Sequence, residues 1–269
     1  EIREEYVKHL TAMFKLMGDS EEIAAQAAET VMAIETRMAK ASNTRLENRD
    51  PHAMYNKSTL EELDAQSRYF DWPGYFAAIG KAEPGDINIS QPKFFKEIDK
   101  MLADVSVSDW KTYLRWHLID QTASYLSSDF DKQNFAFFGT VLSGRQAQQD
   151  RWKRVLRATS GGLGEALGQE YVARFFPPEA KDRMLELVEN LRLALSDRIN
   201  NLVWMSPKTK EYAQEKLEVI NVKIGYPDEW IDYTKLEISD DSYVGNVLAA
   251  NGFDFQRTLD KIDKPVDRK

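Results

Sequence analysis

Cysteine is absent from the 269 residues, which excludes structural disulfides, thiolate metal sites and thiol nucleophiles without assigning a compartment. Histidine is almost as scarce. His9, His52 and His117 are the whole supply, and none has a second histidine or a carboxylate placed as in the helical His-Glu-x-x-His arrangement that holds zinc. No catalytic metal site made by this chain alone is therefore expected. No apolar run approaches the roughly 18 residues a membrane-spanning helix needs, so no span is expected either. Nor is there an excess of positive charge: 44 acidic against 36 basic residues leave a net charge of −8, with the signs interspersed. Such a surface repels phosphate backbones. The richest basic stretch, Arg145 to Arg157, also carries Asp150, and no nucleic-acid partner is expected.

Other familiar chemistries also lack their residues. No Gly-x-Ser-x-Gly elbow or Ser-x-x-Lys box surrounds a serine. Acidic pairs such as Glu21-Glu22 and Asp240-Asp241 arise readily among so many carboxylates and read as solvated faces. The run Gly161-Gly162-Leu163-Gly164, continuing to Gly168, has neither the Lys-Ser/Thr of a phosphate loop nor a preceding strand, so it predicts a helix junction where small residues let two backbones approach. His117 shares a helix face with Trp110, Leu114 and Gln121 and reads as a core or boundary histidine rather than a ligand.

What the chain does have is helical periodicity. With 42% hydrophobic and 11% aromatic residues it can bury a sizeable core. Ile2, Tyr6, Leu10, Met13 and Met17 form one apolar stripe, ended by Gly18; Asp19 and Glu22 predict a capping box for a second helix bearing Ile23, Ala27, Val31, Ile34 and Met38. Proline and glycine punctuate residues 43–90, predicting short helices and turns. Helices follow around Phe94, Phe95, Ile98 and Leu102, and from a Ser108 cap through Trp110 to Gln121. After Pro177-Pro178 a long stripe runs from Met184 to Leu202. Ser206-Pro207 then opens a helix expected to bury Ala213, Leu217, Ile220 and Ile224 and to stop at Gly225 and Pro227. With no repeat and no linker, a single all-α domain over 1–269 is the simplest account, its charged tail at 263–269 reading as a connector. The chain opens on Glu1 with neither a signal nor a transit segment, so an upstream piece is expected to have been removed.

Several motifs stand in a telling order: Asn48-Arg49-Asp50-Pro51-x-x-x-Tyr55-Asn56-Lys57-x-Thr59-Leu60, Phe138-Gly139-Thr140, Trp152-x-Arg154, Gly168-x-x-Tyr171-Val172, Leu202-Val203-Trp204-Met205 with Thr209-Lys210, and Gly225-Tyr226-Pro227-Asp228. Together they resemble the M13, or neprilysin-like, zinc endopeptidases across nearly the whole chain. The first is similar to that family's Asn/Arg-x-Pro-x-x-x-Tyr-Asn signature in its non-catalytic domain. The resemblance implies an all-α, multi-helix lobe with a loop-rich insertion, one of two lobes that enclose a chamber. It further implies a parent that cuts oligopeptides with a zinc-activated water outside the cytoplasm, in the periplasm, at the cell surface or secreted. The His-Glu-x-x-His helix, the third zinc ligand, the catalytic acid and the substrate-gripping strand would lie beyond Lys269, so zinc belongs to the parent, and no catalytic, cofactor or metal residue is carried over. Asn48, Pro51, Tyr55, Asn56, Trp152, Arg154, Gly168, Trp204, Gly225, Tyr226 and Pro227 are expected to be structural, with Tyr55 and Asn56 orienting their loop and Trp204 and Tyr226 anchoring helix ends. Where animal members of the family carry a disulfide-forming cysteine after the Trp-Arg-Arg segment, this chain has Val155, which suits a bacterial-type member. The expected partners are the catalytic lobe of the same polypeptide and oligopeptide substrates. Two rivals stand beside this reading: a stand-alone helical binding or scaffold protein, and a hydrolase using an unrecognised carboxylate site.

Overall fold

The structure, a computed structural model, describes residues 1–266; of the expected connector, Asp267, Arg268 and Lys269 lie outside the described residues. Eleven α-helices, two short 3-10 helices, one π-helical turn and one two-stranded ribbon account for the regular structure among those residues, the all-α architecture expected. The chain divides into two compact units. The first holds Glu1–Gln149 with Asp240–Gly245, and the second holds Asp150–Ser239 with Asn246 onward.

In the first unit, helices α1 (Ile2–Leu16) and α2 (Glu21–Ala41) form the hairpin against α6 (Val107–Thr122). Leu10, Met13, Phe14, Ala24, Ala27, Ala28, Val31 and Trp116 are its core. The alanines let α2 approach closely, so the large side chains come from its neighbours. The α2 stripe is buried at Ala27, Val31 and Ile34 as expected, but it starts at Ala24, while Ile23 is 58% exposed. The cap differs likewise. Ser20 Oγ, not Asp19, accepts the Ile23 N–H (3.3 Å), because Asp19 is held by Arg115 through two bonds of 2.7 and 3.2 Å. On α6 the cap is Ser106 rather than Ser108, accepting from Asp109 N–H at 3.1 Å. Leu114 and Leu118 are exposed while Trp116 is buried, so the buried face of this helix is not the one its periodicity suggested. A ring of polar groups explains the shift.

The Trp116 Nε1–H donates to Tyr6 Oη (3.1 Å), and Tyr6 Oη–H donates to Glu35 Oε1 (2.9 Å). Burial first, and the Glu35 charge next, push the Tyr6 phenol well above its usual range. His117, edge-on to the Tyr113 ring at 4.4 Å, has its Nε2 3.9 Å from Glu35. Asp120 lies in the same surroundings, its carboxyl raised by burial and by Glu35 against the opposing pull of His117. His117 is thus a boundary histidine in a polar tie across three helices.

Residues 43–90 are loop-rich as expected, with α3 (Leu60–Ala65), α4 (Trp72–Ala78) and the pair β1 (Lys57–Ser58) and β2 (Ile87–Asn88). The strands run antiparallel, Lys57 opposite Asn88. Leu63, Trp72 and Ile89 make a small second core with Phe70, Phe76 and Phe95 around it. Asp99, on α5 (Pro92–Asp104), pins the preceding loop by accepting from the backbone of Arg68, Tyr69 and Phe70 at 2.8 to 3.1 Å.

Helix α7 (Ser128–Asn134) continues into a wide π-helical turn, Phe135–Val141, which carries Phe138-Gly139-Thr140. A Cβ on Gly139 would lie 2.4 Å from the Phe135 ring, so the turn closes only over glycine. The turn lays Phe137 flat on His9, centroids 4.9 Å apart, and Gln133 Nε2 donates to His9 Nδ1 at 3.1 Å.

The second unit is built from α8 (Arg151–Phe175), α9 (Pro178–Asn201), α10 (Pro207–Glu218) and the greater part of α11 (Tyr243–Leu259). Ser206 caps α10 with Pro207 at its first turn, as expected. The helix ends at Glu218, earlier than expected; Val219, Ile220 and Val222 are β-branched and poor at continuing a helix. The α9 stripe stays largely open, with Ile199 buried and Met184, Leu191 and Leu195 exposed.

Two outcomes follow for stability. Trp116→Ala removes a buried indole and the donor to Tyr6, and should destabilise the first unit by about 3–5 kcal/mol; urea unfolding showing a loss below about 1 kcal/mol would refute this packing role. His9 is lowered by burial from 6.5 to about 4, so the fold holds it neutral. Its contribution is therefore full above pH 6.5 and is lost as pH falls towards 4, a change of about 3 kcal/mol by linkage. His9→Gln should flatten that slope, whereas an identical slope in the variant would assign the acid sensitivity elsewhere.

Candidate functional site

Two constellations gather the motif residues, one in each unit. In the first, the signature loop begins with a single 3-10 turn, Glu47–Arg49, closed by Arg49 N–H donating to Leu46 O (3.1 Å) and Asp50 N–H to Glu47 O (3.2 Å), with Asn48 N–H donating to Thr44 O (3.1 Å) just before it. Asp50 then caps the next turn around Pro51, its Oδ1 accepting from His52 N–H at 2.9 Å and Ala53 N–H at 3.3 Å. This short carboxylate-to-backbone turn explains an Asp-Pro pair. Asn56 Nδ2 donates to Ala53 O (2.9 Å), a side-chain bond to backbone of the kind expected.

The loop is anchored from outside by a residue the sequence did not single out. Asn88 Oδ1 accepts from Asn56 N–H (2.7 Å), while its Nδ2 donates to Met54 O (3.1 Å). Ile89 N–H completes the junction by donating to Asn56 O (3.0 Å). Downstream, Thr59 and Glu62 form a reciprocal capping box on α3. Tyr55 enters through its backbone, N–H to His52 O at 3.3 Å, and its side chain is 65% exposed. The signal for Asn88 was present but slight: Ile87-Asn88-Ile89 alternates after the Pro84-Gly85 turn, as a short strand does.

The second constellation brings Gly168, Gly225, Tyr226 and Pro227 together around an aromatic stack. Tyr226 lies parallel to Trp230 with centroids 6.1 Å apart and edge-on to Phe176 at 5.6 Å. Lys181, in the first turns of α9, reaches across: its Nζ donates to Tyr226 O (2.9 Å), pairs with Asp228 Oδ1 (2.7 Å) and stands 4.4 Å from the Tyr226 ring centre. Two glycines make room. Gly225 has φ +75°, and a Cβ there would meet Phe176 at 3.1 Å; one on Gly168 would meet Trp230 at 3.3 Å. Tyr226 thus anchors the opening of α9 rather than the end of α10. Trp230 and Lys181 were missed because nothing local distinguishes them; their roles exist only through contacts distant in sequence.

Trp152 and Trp204 are not drawn into either cluster. Trp152 is 63% exposed at the start of α8, with Lys153 Nζ 5.3 Å from its ring centre; Arg154, two residues on and turned towards the other side of the helix, is half-buried. Trp204 is 74% exposed in the bend after α9, beside Val203, so it does not pack as a helix-end anchor within the described residues. In both constellations the side chains bond chiefly to backbone. Among the described residues no group of three or more His, Asp or Glu side chains is arranged to hold a metal ion: His9 is enclosed by aromatics, His52 sits in the signature turn and His117 belongs to the Tyr6–Glu35 tie. The residues present therefore do not fit a zinc centre. No helix among them is long and apolar enough to cross a membrane.

Neprilysin-2 of Drosophila melanogaster is 30% identical over 98% of this chain and 37% of its own length; neprilysin of Homo sapiens is 26% identical over 88% and 34%. The zinc metalloprotease Zmp1 of Mycobacterium tuberculosis in its open state superposes with a TM-score of 0.90 at 35% identity, covering 99% of this chain and 42% of that one. Its complex with an inhibitor gives 0.88 at the same identity, over 99% and 41%. The chain thus spans well under half the length of these relatives. A family model described as peptidase family M13 matches residues 1–227, and the chain belongs to that family.

Proposed function

We propose that this chain is the non-catalytic helical lobe of a zinc-dependent endopeptidase acting on oligopeptides. In this reading it walls a substrate-restricting chamber, packs on the catalytic lobe of the same polypeptide, and is inactive alone. The observation that carries it is the combination of M13 membership with a span of 42% of Zmp1, in a chain whose described residues form no metal-holding group. Zinc, supplying an activated water, would be held by residues outside this chain. What this chain contributes is exclusion: a helical wall keeps folded proteins from a site that flexible peptides can enter. Homology to neprilysin supports an extracytoplasmic parent. Val203 and Trp204, exposed in the bend after α9, are apolar side chains such a lobe could present to its catalytic partner.

The motif residues are assigned structural parts: the signature loop shapes the wall in the first unit, and the Tyr226 clamp holds the start of α9 in the second. Zinc-loaded protein comprising this chain and its catalytic lobe should cleave short peptides and spare stably folded proteins, while this chain alone with zinc should cleave neither. Zinc-dependent hydrolysis by the isolated chain, or equal rates on folded and unfolded substrates by the whole protein, would overturn the assignment. A gene that stops after Lys269 would leave a helical binding protein instead. The structural assignment is tested separately by Asn88→Ala, which strips an acceptor from Asn56 and a donor from Met54. A stability loss of about 1–2 kcal/mol with zinc content unchanged is expected; loss of zinc at full stability would instead place the loop in the metal site's support.

A further inference from the structure

Helix α8 is the least protected long element of the second unit: none of its residues is buried. Within it, Leu163 adopts φ −129°, ψ 33°, outside the helical range, so that two helical halves meet at that residue. Three of the four positions Gly161 to Gly164 are glycine, the residue that most weakens a helix interior after proline. Their surroundings differ in an informative way. A Cβ on Gly162 would lie 2.9 Å from Ala250 Cβ on α11, so packing requires that glycine. Gly161 and Gly164 have nothing within 4 Å of a Cβ, and neither has a positive φ. Nothing steric excludes alanine at either position. What glycine supplies there is backbone freedom, beside the one residue that leaves the helix.

The half beyond the break is firmly held. Glu165 Oε2 accepts from Ile231 N–H at 2.6 Å, and Glu165 N–H donates to Tyr233 Oη at 3.4 Å. Tyr233 stacks on Phe253 of α11 at 5.5 Å, and Gly168 receives the Trp230 ring. The half before the break carries exposed Trp152, Val155 and Leu156. We infer that Gly161–Gly164 is a hinge within α8: the Arg151–Ser160 half bends about Leu163, re-aiming Trp152 and its apolar neighbours, while the half from Glu165 onward moves with the Tyr226–Tyr233 segment. Gly162 against Ala250 is the pivot, since it fixes the backbone to α11 at the break.

Hydrogen-exchange mass spectrometry on the intact polypeptide carrying this chain tests the hinge. In the unmodified protein, amides of residues 161–166 should exchange at least about tenfold faster than those of residues 168–174 in the same helix. The pair Gly161→Ala and Gly164→Ala, both sterically free, should slow the 161–166 amides by about tenfold. Gly252→Ala is the control, a glycine within α11 that also has nothing within 4 Å of a Cβ, and it should leave α8 unchanged. Uniform protection along α8 in the unmodified protein overturns the hinge without any variant. So does an alanine pair that leaves exchange at 161–166 where it was, or a control that slows it equally.

Discussion

The indole of Trp116 fixes how the first three long helices of the first unit meet. It is buried between α1, α2 and α6, and its one polar atom is satisfied by Tyr6, which in turn bonds Glu35. Apolar contact alone would allow the α1–α2 hairpin to slide along α6 at little cost, since alanines and leucines do not read register. A buried donor does, because leaving it unpaired forfeits its hydration with nothing in return. The rotation of α6 follows. Burying Trp116 turns Leu114 and Leu118 outward and brings His117 and Asp120 to the polar side of the same junction. Helix α7 and the π turn then close over His9 on the remaining face of α1.

This explains which parts of the fold were legible in the sequence. Helix type, the hairpin, the loop-rich stretch after Ser42 and the Ser206-Pro207 start follow from periodicity and local stop and start chemistry, and all are found. What periodicity could not resolve was the buried face of α6 and the point at which the buried stripe of α2 begins. Ile23 is a better hydrophobe than Ala24, yet Ala24 faces the core, because close approach of helices rewards small volume over apolar area. The cap of α2 was misplaced by one residue for a related reason: Asp19 is occupied by an arginine 96 residues away, and no local rule sees that partner.

The motif residues show the same division. Asn56, Gly168, Gly225 and Tyr226 could be singled out from the sequence, but their partners Trp230, Phe176 and Lys181 could not, because each gains its meaning only by long-range contact, and Asn88 left only the slight trace of a short alternating strand. The two units also differ in how their order is kept. The first has a dense apolar core, whereas in the second the buried side chains among the described residues are Ile199, Leu217 and Ala250. Its long helices are held instead by stacked rings, by Lys181 and by Glu165 bonded to loop backbone.

Gly225 closes off more than one escape. Left-handed backbone by itself leaves room for asparagine or aspartate, which tolerate positive φ better than other side chains. The Phe176 ring 3.1 Å from the would-be Cβ narrows that tolerance, because any side chain there requires the ring to give way as well as the backbone to hold a positive φ. The codon is therefore a marker of packing rather than of chemistry. In a related chain, any residue other than glycine at this place signals that the ring before Pro177-Pro178 has moved, and with it the entry of the polypeptide into α9.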